Sequence, residues 1–118
     1  MASAVLVILH GRAVPGREQA ALQLYNQALE TFAGWKEKGF VESIEAVQLE
    51  PRGDNLDGFV LLHGDREGLN ALRYSEEFMH WNNQARLILV DYCVVAGFVG
   101  QELQSYYADY GVKAAALA

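Results

Sequence analysis

The chain has 118 residues, 52% of them hydrophobic and 20% charged, which is typical of one globular domain and excludes a disordered chain. Its net charge of −6 repels phosphate groups, so nucleic acid and anionic membranes are poor partners. The single cysteine, Cys93, excludes a disulfide within the chain and lies in an apolar run, where we expect it to be buried. These features indicate a reducing, cytoplasmic setting.

The first half of the chain predicts two strands flanking one helix. The first apolar run is too short to cross a membrane and is rich in β-branched residues, so it reads as a strand that stops at His10-Gly11. Apolar positions at helical spacing then precede Gly39, a glycine suited to end a helix. In order, the predicted elements are a strand over 4–12, a helix over 17–38, a strand over 40–50 and a loop over 51–57.

The second half repeats this order and adds a tail. Asp65 and Ser75 are residue types that cap helix N-termini, and each precedes a predicted helical segment. The run from Val60 to Gly64 echoes that from Val7 to Gly11, as expected of a doubled βαβ unit. The predicted elements are a strand over 58–64, a short helix over 65–74, a helix starting at 75, a strand over 90–99, a short helix over 103–110 and a frayed tail over 112–118.

The order strand, helix, strand, strand, helix, strand predicts an α+β, ferredoxin-like βαββαβ fold with a four-stranded antiparallel sheet. We expect one domain over residues 1–118, with its core at about 4–100 and a C-terminal helix and tail at 101–118. Strands one and three are expected to lie side by side and parallel in the middle of the sheet.

All four predicted strands look apolar on both faces, whereas a half-exposed strand alternates apolar and polar residues. Two helices cover one face, and a second copy of the chain is the expected cover for the other. Burying about 600 Å² per chain is worth on the order of 15 kcal/mol before association costs. The alternatives are that the C-terminal helix folds back over its own sheet or reaches onto the partner chain.

Two histidines are the first candidates for chemistry. His10 and His63 each end a strand before a glycine, and parallel neighbouring strands would bring both imidazoles to one edge of the sheet. The starts of the other two strands would bring Glu42, Asp91 and Tyr92 to that edge. Histidines beside carboxylates suit acid–base catalysis or metal binding, and we predict His10, His63 and Tyr92 as catalytic residues with no metal or cofactor. The alternative is that both histidines are strand-end residues bonded to backbone.

Aromatic side chains suggest a pocket between the helices and the sheet. Aromatics at helical spacing also fit an ordinary hydrophobic core, which is the competing interpretation. His80 lies on the second long helix, away from its predicted inner face, and is expected to be exposed. The pocket-lining candidates are Tyr25, Trp35, Trp81, Tyr92 and Phe98, with Glu42 and Asp91 near the edge.

Two motifs, Val14-Pro15-Gly16 before the first helix and Ser75-Glu76-Glu77-Phe78 followed by Trp81, resemble the dimeric α+β barrel superfamily over residues 4–100. That superfamily includes antibiotic-biosynthesis-type monooxygenases, haem-degrading monooxygenases and stress-responsive barrel proteins. The resemblance implies a homodimer of ferredoxin-like subunits with the substrate between helices and sheet. It does not select a subfamily, and a fold does not by itself imply a function.

Three functions are therefore compatible with the sequence. The first is a cofactor-independent, monooxygenase-like enzyme acting on a small apolar or aromatic molecule. The second is a ligand-binding or stress-related protein without catalysis. The third is a haem-binding or haem-degrading protein, for which His80 is the helical histidine that the resemblance offers as an iron ligand.

Overall fold

The computed structural model describes residues 4–118, which form one four-stranded sheet and four helices. Three helices lie against one face of the sheet, and the fourth follows the last strand. The strands are β1 (Ala4–His10), β2 (Ser43–Gln48), β3 (Gly58–Gly64) and β4 (Cys93–Phe98), and the helices are α1 (Glu18–Glu37), α2 (Arg66–Arg73), α3 (Glu76–Ile88) and α4 (Gly100–Leu117).

The sheet has the strand order β2-β3-β1-β4, and every neighbouring pair is antiparallel. The predicted α+β, ferredoxin-like class is confirmed, but the prediction that β1 and β3 run parallel was wrong. A helical crossover returns β2 parallel to β1, and the β2–β3 hairpin then turns β3 against both. As a result His10 lies opposite Gly58, whereas His63 lies opposite Val5, at the other end of β1.

Helix α1 ends where the sequence predicted. Gly39 has φ +85°, a left-handed conformation that costs glycine little. Its backbone N–H donates to the Lys36 carbonyl, and the Phe40 N–H donates to the Trp35 carbonyl, both at 3.0 Å. These two bonds form a Schellman motif, which satisfies carbonyls that the helix end would otherwise leave unpaired.

The starts of α2 and α3 carry the side-chain caps that the sequence predicted. The Asp65 carboxylate accepts from the Gly68 backbone N–H at 2.7 Å, and the Ser75 hydroxyl accepts from the Phe78 N–H at 3.1 Å. Each cap satisfies a donor in the first helical turn, where no intrahelical acceptor exists. The two caps fix the sharp chain reversal after β3, which brings α3 back over the sheet.

The hydrophobic core lies between α1, α2, α3 and one face of the sheet, which we call the covered face. It consists of alternate strand residues, among which Leu6 and Leu62 are at most 1% exposed. The helices add an aromatic cluster in which neighbouring ring centroids are 5.2–6.2 Å apart. The cluster consists of Phe32, Trp35, Phe78 and Trp81.

The opposite face of the sheet, which we call the open face, has no helix across it in the described chain. Val5 on this face is buried, but its other central apolar side chains are only half-buried, and Val95 on the edge strand is 48% exposed. Two expectations need correction. Cys93 is exposed on this face rather than buried, and β2 presents the polar side chains of Ser43 and Glu45 there, so β2 is not apolar on both faces. The half-buried central residues are Val7, Leu9, Phe59 and Leu61.

Helix α4 differs from the predicted short helix and frayed tail, because it continues for 18 residues to Leu117. None of its residues is buried, so α4 does not cover the open face of its own sheet. It is held at its start by an ion pair between Arg66 and Glu102 and by stacking of Tyr106 on Phe98 at 4.9 Å. The radius of gyration, 16.3 Å, exceeds the value of about 13.5 Å expected for a compact chain of this length, as a projecting helix requires.

None of the helices formed by residues 4–118 combines the length and the apolar character needed to cross a bilayer.

Candidate functional site

A cavity of about 260 Å³ lies between α1, α3 and the covered face of the sheet, near the end of β1. We call it the inner pocket. Most of its wall is apolar, and its polar side chains belong to His10, Tyr25, Gln48 and Tyr92. The apolar wall includes Ile8, Leu24, Ala28, Leu29, Phe32, Val60, Trp81 and Leu89.

His10 enters the pocket because of its position in the strand alternation. Leu6 and Ile8 are buried on the covered face, and His10 is the next residue of β1 on that face. Its ring lies over Gly58 of the neighbouring strand. A Cβ atom at position 58 would be 2.9 Å from His10 Nε2 and 2.5 Å from the Val47 carbonyl oxygen, so only glycine leaves room for the imidazole.

The contacts of the His10 ring assign its two nitrogens. Nδ1 lies 3.2 Å from the Gly11 carbonyl oxygen, which can only accept a hydrogen bond. This contact places the hydrogen of the uncharged ring on Nδ1 and leaves the lone pair on Nε2. The imidazole therefore offers a hydrogen-bond acceptor, or a base, at the pocket wall.

Tyr25 of α1 flanks His10, with the two ring centroids 5.8 Å apart. Partial burial and, to a smaller extent, the negative charge of Asp57 raise the pKa of Tyr25 above its ordinary value. The hydroxyl therefore stays protonated at neutral pH and can donate a hydrogen bond. Its side chain is 39% exposed, which places Tyr25 at the mouth of the pocket.

Tyr92, just before β4, forms the opposite wall. Its hydroxyl donates to Asn82 Oδ1 at 2.6 Å. Burial raises the pKa of Tyr92 far above its ordinary value, and the neighbouring Trp81 indole opposes that shift only in part. The Trp81 N–H is buried and makes no hydrogen bond of normal geometry with any described residue. Tyr92 is thus a fixed hydrogen-bond donor, and its bond to Asn82 connects β4 to α3.

His63 does not share the pocket with His10. Because β1 and β3 are antiparallel, His63 lies opposite Val5, five residues from His10 along β1, or about 17 Å. It also falls on the open face, and its backbone carbonyl accepts from the Glu42 N–H at 2.7 Å. The predicted meeting of both histidines at one edge was wrong. His10 lies with Tyr92, and His63 lies with Glu42 at the other end of the sheet.

Three further pocket candidates lie elsewhere. Trp35 is 0% exposed in the aromatic cluster, behind the pocket wall rather than in it. Asp91 is exposed, with φ 53°, in the turn before β4. Phe98 lies at the far end of β4, against Tyr106 of α4. Of the predicted lining residues, the structure therefore brings Tyr25, Trp81 and Tyr92 to the pocket.

His80 is exposed on α3, as the helical periodicity predicted, and does not line the inner pocket. Residues 4–118 contain no group of three or more histidine, cysteine, aspartate or glutamate side chains placed to hold a metal ion. The inner pocket likewise offers one imidazole and no carboxylate as a ligand. The inner pocket therefore does not fit a metal ion held by several side chains, and His80, the histidine expected to ligate haem, lies outside it.

Sequence reasoning missed two residues of this site. Gln48 reaches the pocket from the edge strand β2, and its side-chain amide donates to the Asp57 carbonyl at 3.0 Å. Asn82 fixes the Tyr92 hydroxyl from a position on α3 next to Trp81. A polar residue adjacent to an inward-facing one on a helix gives no periodic signal, so only the tertiary contact identifies Asn82.

No family model and no curated protein matches the chain. The fold does match solved structures. A dimeric protein of unknown function and ferredoxin-like fold from Bacteroides fragilis superposes with a TM-score of 0.61 at 12% identity, covering 81% of this chain and 96% of that one. PA3566 from Pseudomonas aeruginosa gives a TM-score of 0.58 at 16% identity, covering 85% and 97%.

An ethyl tert-butyl ether D (EthD) family protein from Bacillus halodurans gives a TM-score of 0.56 at 14% identity and covers 83% of this chain and 99% of that one. At identities this low the likeness shows the fold alone. The chain shares the fold of these three structures, one of which is described as ferredoxin-like, so the predicted ferredoxin-like fold is confirmed.

Proposed function

We propose that the protein is a single-domain homodimer that binds a small, mainly apolar ring compound in the inner pocket of each subunit. The observation that carries this proposal is the position of His10, whose free Nε2 lies at the wall of a mainly apolar cavity. Few polar groups in an apolar pocket are what orients a small ligand. A ligand with one hydroxyl or N–H group would donate to Nε2 and bury its remainder against the apolar wall.

The size of the cavity limits the ligand. Its volume of about 260 Å³ lies just below the range of roughly 300–1,000 Å³ typical of small-molecule sites. One or two fused rings fit that space, and a haem group does not. The Tyr25 hydroxyl, held in its protonated form, adds a donor for a ligand carbonyl or hydroxyl oxygen. The Tyr92 hydroxyl donates its hydrogen to Asn82 and therefore offers a ligand an acceptor.

The proposed dimer is supported by the open face. Val7, Leu9, Phe59 and Leu61 form a contiguous apolar surface on adjacent strands, which soluble monomers rarely expose. Packing two such faces together would bury them both, and one of the structural neighbours is described as dimeric. Exposure of Cys93 and Val95 on the edge of the same face is also explained by a covering second copy.

Ligand binding is tested by screening one- and two-ring phenols and heteroaromatic compounds by thermal shift, followed by titration of tryptophan fluorescence. Trp81 lines the pocket, so its emission should change on binding. Ala28→Phe fills the cavity and should abolish binding. Ala33→Phe makes the same change on the exposed side of α1 and should leave affinity unchanged. Equal affinity in both variants would place the ligand outside the inner pocket.

A catalytic role is the second candidate, and the lone pair on His10 Nε2 favours it. In that role Nε2 removes a proton from an acidic O–H or C–H group of the bound ligand. Ligands from the screen should then exchange that C–H hydrogen in D2O faster with the protein than with His10→Gln. Dioxygen uptake in the same samples tests for the monooxygenase activity that the resemblance implies. Binding without exchange or uptake would leave the non-catalytic ligand-binding function.

A further inference from the structure

A second cavity, of about 330 Å³, lies on the other side of Tyr92, beside the edge strand β4. We call it the arginine cleft. Arg73, in the last turn of α2, and Arg86, in the last turn of α3, both line it. The remaining wall comes from Tyr74, Asn82, Tyr92, Cys93 and Val94. In contrast to the inner pocket, the arginine cleft is mostly polar.

The two arginines stand out among the cations of the chain, which has nine lysine and arginine residues against 15 acidic ones. Six of the nine make an ion pair or a hydrogen bond. Within residues 4–118, Arg73, Arg86 and Lys36 make neither, and two of these three line one cleft. The partnered cations are Arg12, Arg17, Lys38, Arg52, Arg66 and Lys113.

Asn82 adds further hydrogen-bond donors to the wall of the cleft. The Oδ1 atom of Asn82 already accepts the Tyr92 hydroxyl hydrogen, so its amide N–H groups are what Asn82 has left to offer. Arg73 lies with its guanidinium 6.0 Å from the Tyr74 ring centre, a cation–π distance that holds the side chain against the wall. No aspartate or glutamate lines the cleft. Two like charges facing one cavity repel each other unless an anion lies between them.

We propose that the arginine cleft binds the oxyanion of a small molecule, a carboxylate or a phosphate, between the Arg73 and Arg86 guanidinium groups with the Asn82 amide as a third donor. The planar guanidinium offers paired N–H donors that match two oxygens of such a group. Carboxylate and phosphate share this chemistry, and the two are distinguished below. The site does not depend on ligand binding in the inner pocket.

The test is titration of the full-length protein with inorganic phosphate and, separately, with benzoate in low-chloride buffer, followed by 1H–15N NMR of the Asn82 side-chain amide and the arginine Nε groups. With at least one of the two anions we expect saturable chemical-shift changes that are confined to the side chains of Asn82, Arg73 and Arg86. Tighter binding of phosphate identifies a phosphate site, and tighter binding of benzoate a carboxylate site. No saturable binding of either anion at millimolar concentrations would overturn the proposal.

Variants separate the site from general charge effects. Arg73→Gln and Arg86→Gln should each weaken anion binding about tenfold, the effect of losing one charge-assisted hydrogen bond. Asn82→Asp keeps an acceptor for the Tyr92 hydroxyl but places a negative charge in the cleft, and should abolish binding. Lys36→Gln removes an equally unpaired cation from α1 and should leave affinity unchanged. A similar loss in Lys36→Gln would mean that net charge alone attracts the anion, which contradicts a built site.

Discussion

The two faces of the sheet are built from alternate residues of the same strands, yet their surroundings differ. Leu62 on the covered face is 0% exposed beneath the helices, whereas its neighbour Leu61 on the open face is only half-buried. The covered face carries His10, which lines the inner pocket, and the open face carries His63 at the other end of the sheet. This contrast is the basis of our proposal that one face holds a ligand within the subunit, while the other packs against a second subunit.

The largest effect is expected from a charge on the covered face. Leu62→Asp places a carboxylate at a position that is 0% exposed to solvent, and should cost about 4–5 kcal/mol or more of unfolding free energy. Because many domains have only 5–15 kcal/mol in total, this variant should be largely unfolded at 37 °C. Far-UV circular dichroism with urea denaturation measures the loss. A well-folded Leu62→Asp protein would contradict the assigned core.

The same charge one residue earlier should act on assembly instead. Leu61→Asp keeps a folded subunit, since the open face accepts water, but sets two carboxylates against each other across the proposed interface. We expect a folded monomer by light scattering together with a native circular dichroism spectrum. If Leu61→Asp unfolds like Leu62→Asp, the two faces are not distinct.

A smaller effect is expected where the two central strands approach at His10. Gly58→Ala puts a Cβ against the Val47 carbonyl and His10 Nε2, so the strand or the ring must shift, at a cost of about 1–3 kcal/mol. The affinity of the inner pocket for its ligand should also fall in Gly58→Ala, because the His10 ring is displaced. Gly34→Ala on α1 meets no atom within 4 Å and should instead stabilise the protein by about 0.5–1 kcal/mol, as measured by thermal unfolding.

The Tyr92 hydroxyl predicts that the free energy of unfolding depends on pH. Burial raises the pKa of Tyr92 in the folded protein, so the unfolded chain loses this proton first, near its ordinary pKa of about 10. Stability should be independent of this group below about pH 10 and fall above it, by up to about 1.4 kcal/mol per pH unit. Tyr92→Phe should reduce that slope in urea titrations, whereas Tyr107→Phe on exposed α4 should not.

The smallest effect is expected from removing α4, which covers neither face of the sheet. Ending the chain after Val99 removes no buried residue and only the Arg66–Glu102 pair and the Tyr106 contact. A partly exposed ion pair is worth about 0–1 kcal/mol, so unfolding free energy should change by no more than that. A large loss on truncation, measured by urea denaturation, would mean that α4 is packed against the subunit or its partner.

Much of the fold could be predicted from local chemistry. Gly39, Asp65 and Ser75 act within one helical turn, and each ends or starts a helix where its residue type predicted. The direction of β3 was mispredicted because strand pairing is set by the crossover and not by any local residue. The same error carried His63 to the wrong end of the sheet.

The candidate site was predicted only in part, because periodicity gives the face on which a residue lies but not its place along the sheet. His10, Tyr25, Trp81 and Tyr92 reach the inner pocket because strand and helix periodicity places them on inward faces. Phe98 is an aromatic residue on the covered face, but it lies at the end of β4 that is far from the inner pocket. Its position along the sheet depends on the register of β4 with β1. The length of α4 was also missed, since none of its residues is buried to mark a helical face.

The contrast between the two faces is tested most directly by the mass of the intact protein in solution. Light scattering should give about twice the chain mass of 13.1 kDa, because in the proposed dimer a second copy covers the open face. A stable particle of 13.1 kDa at micromolar concentration, with the Leu61 surface left in water, would contradict the account.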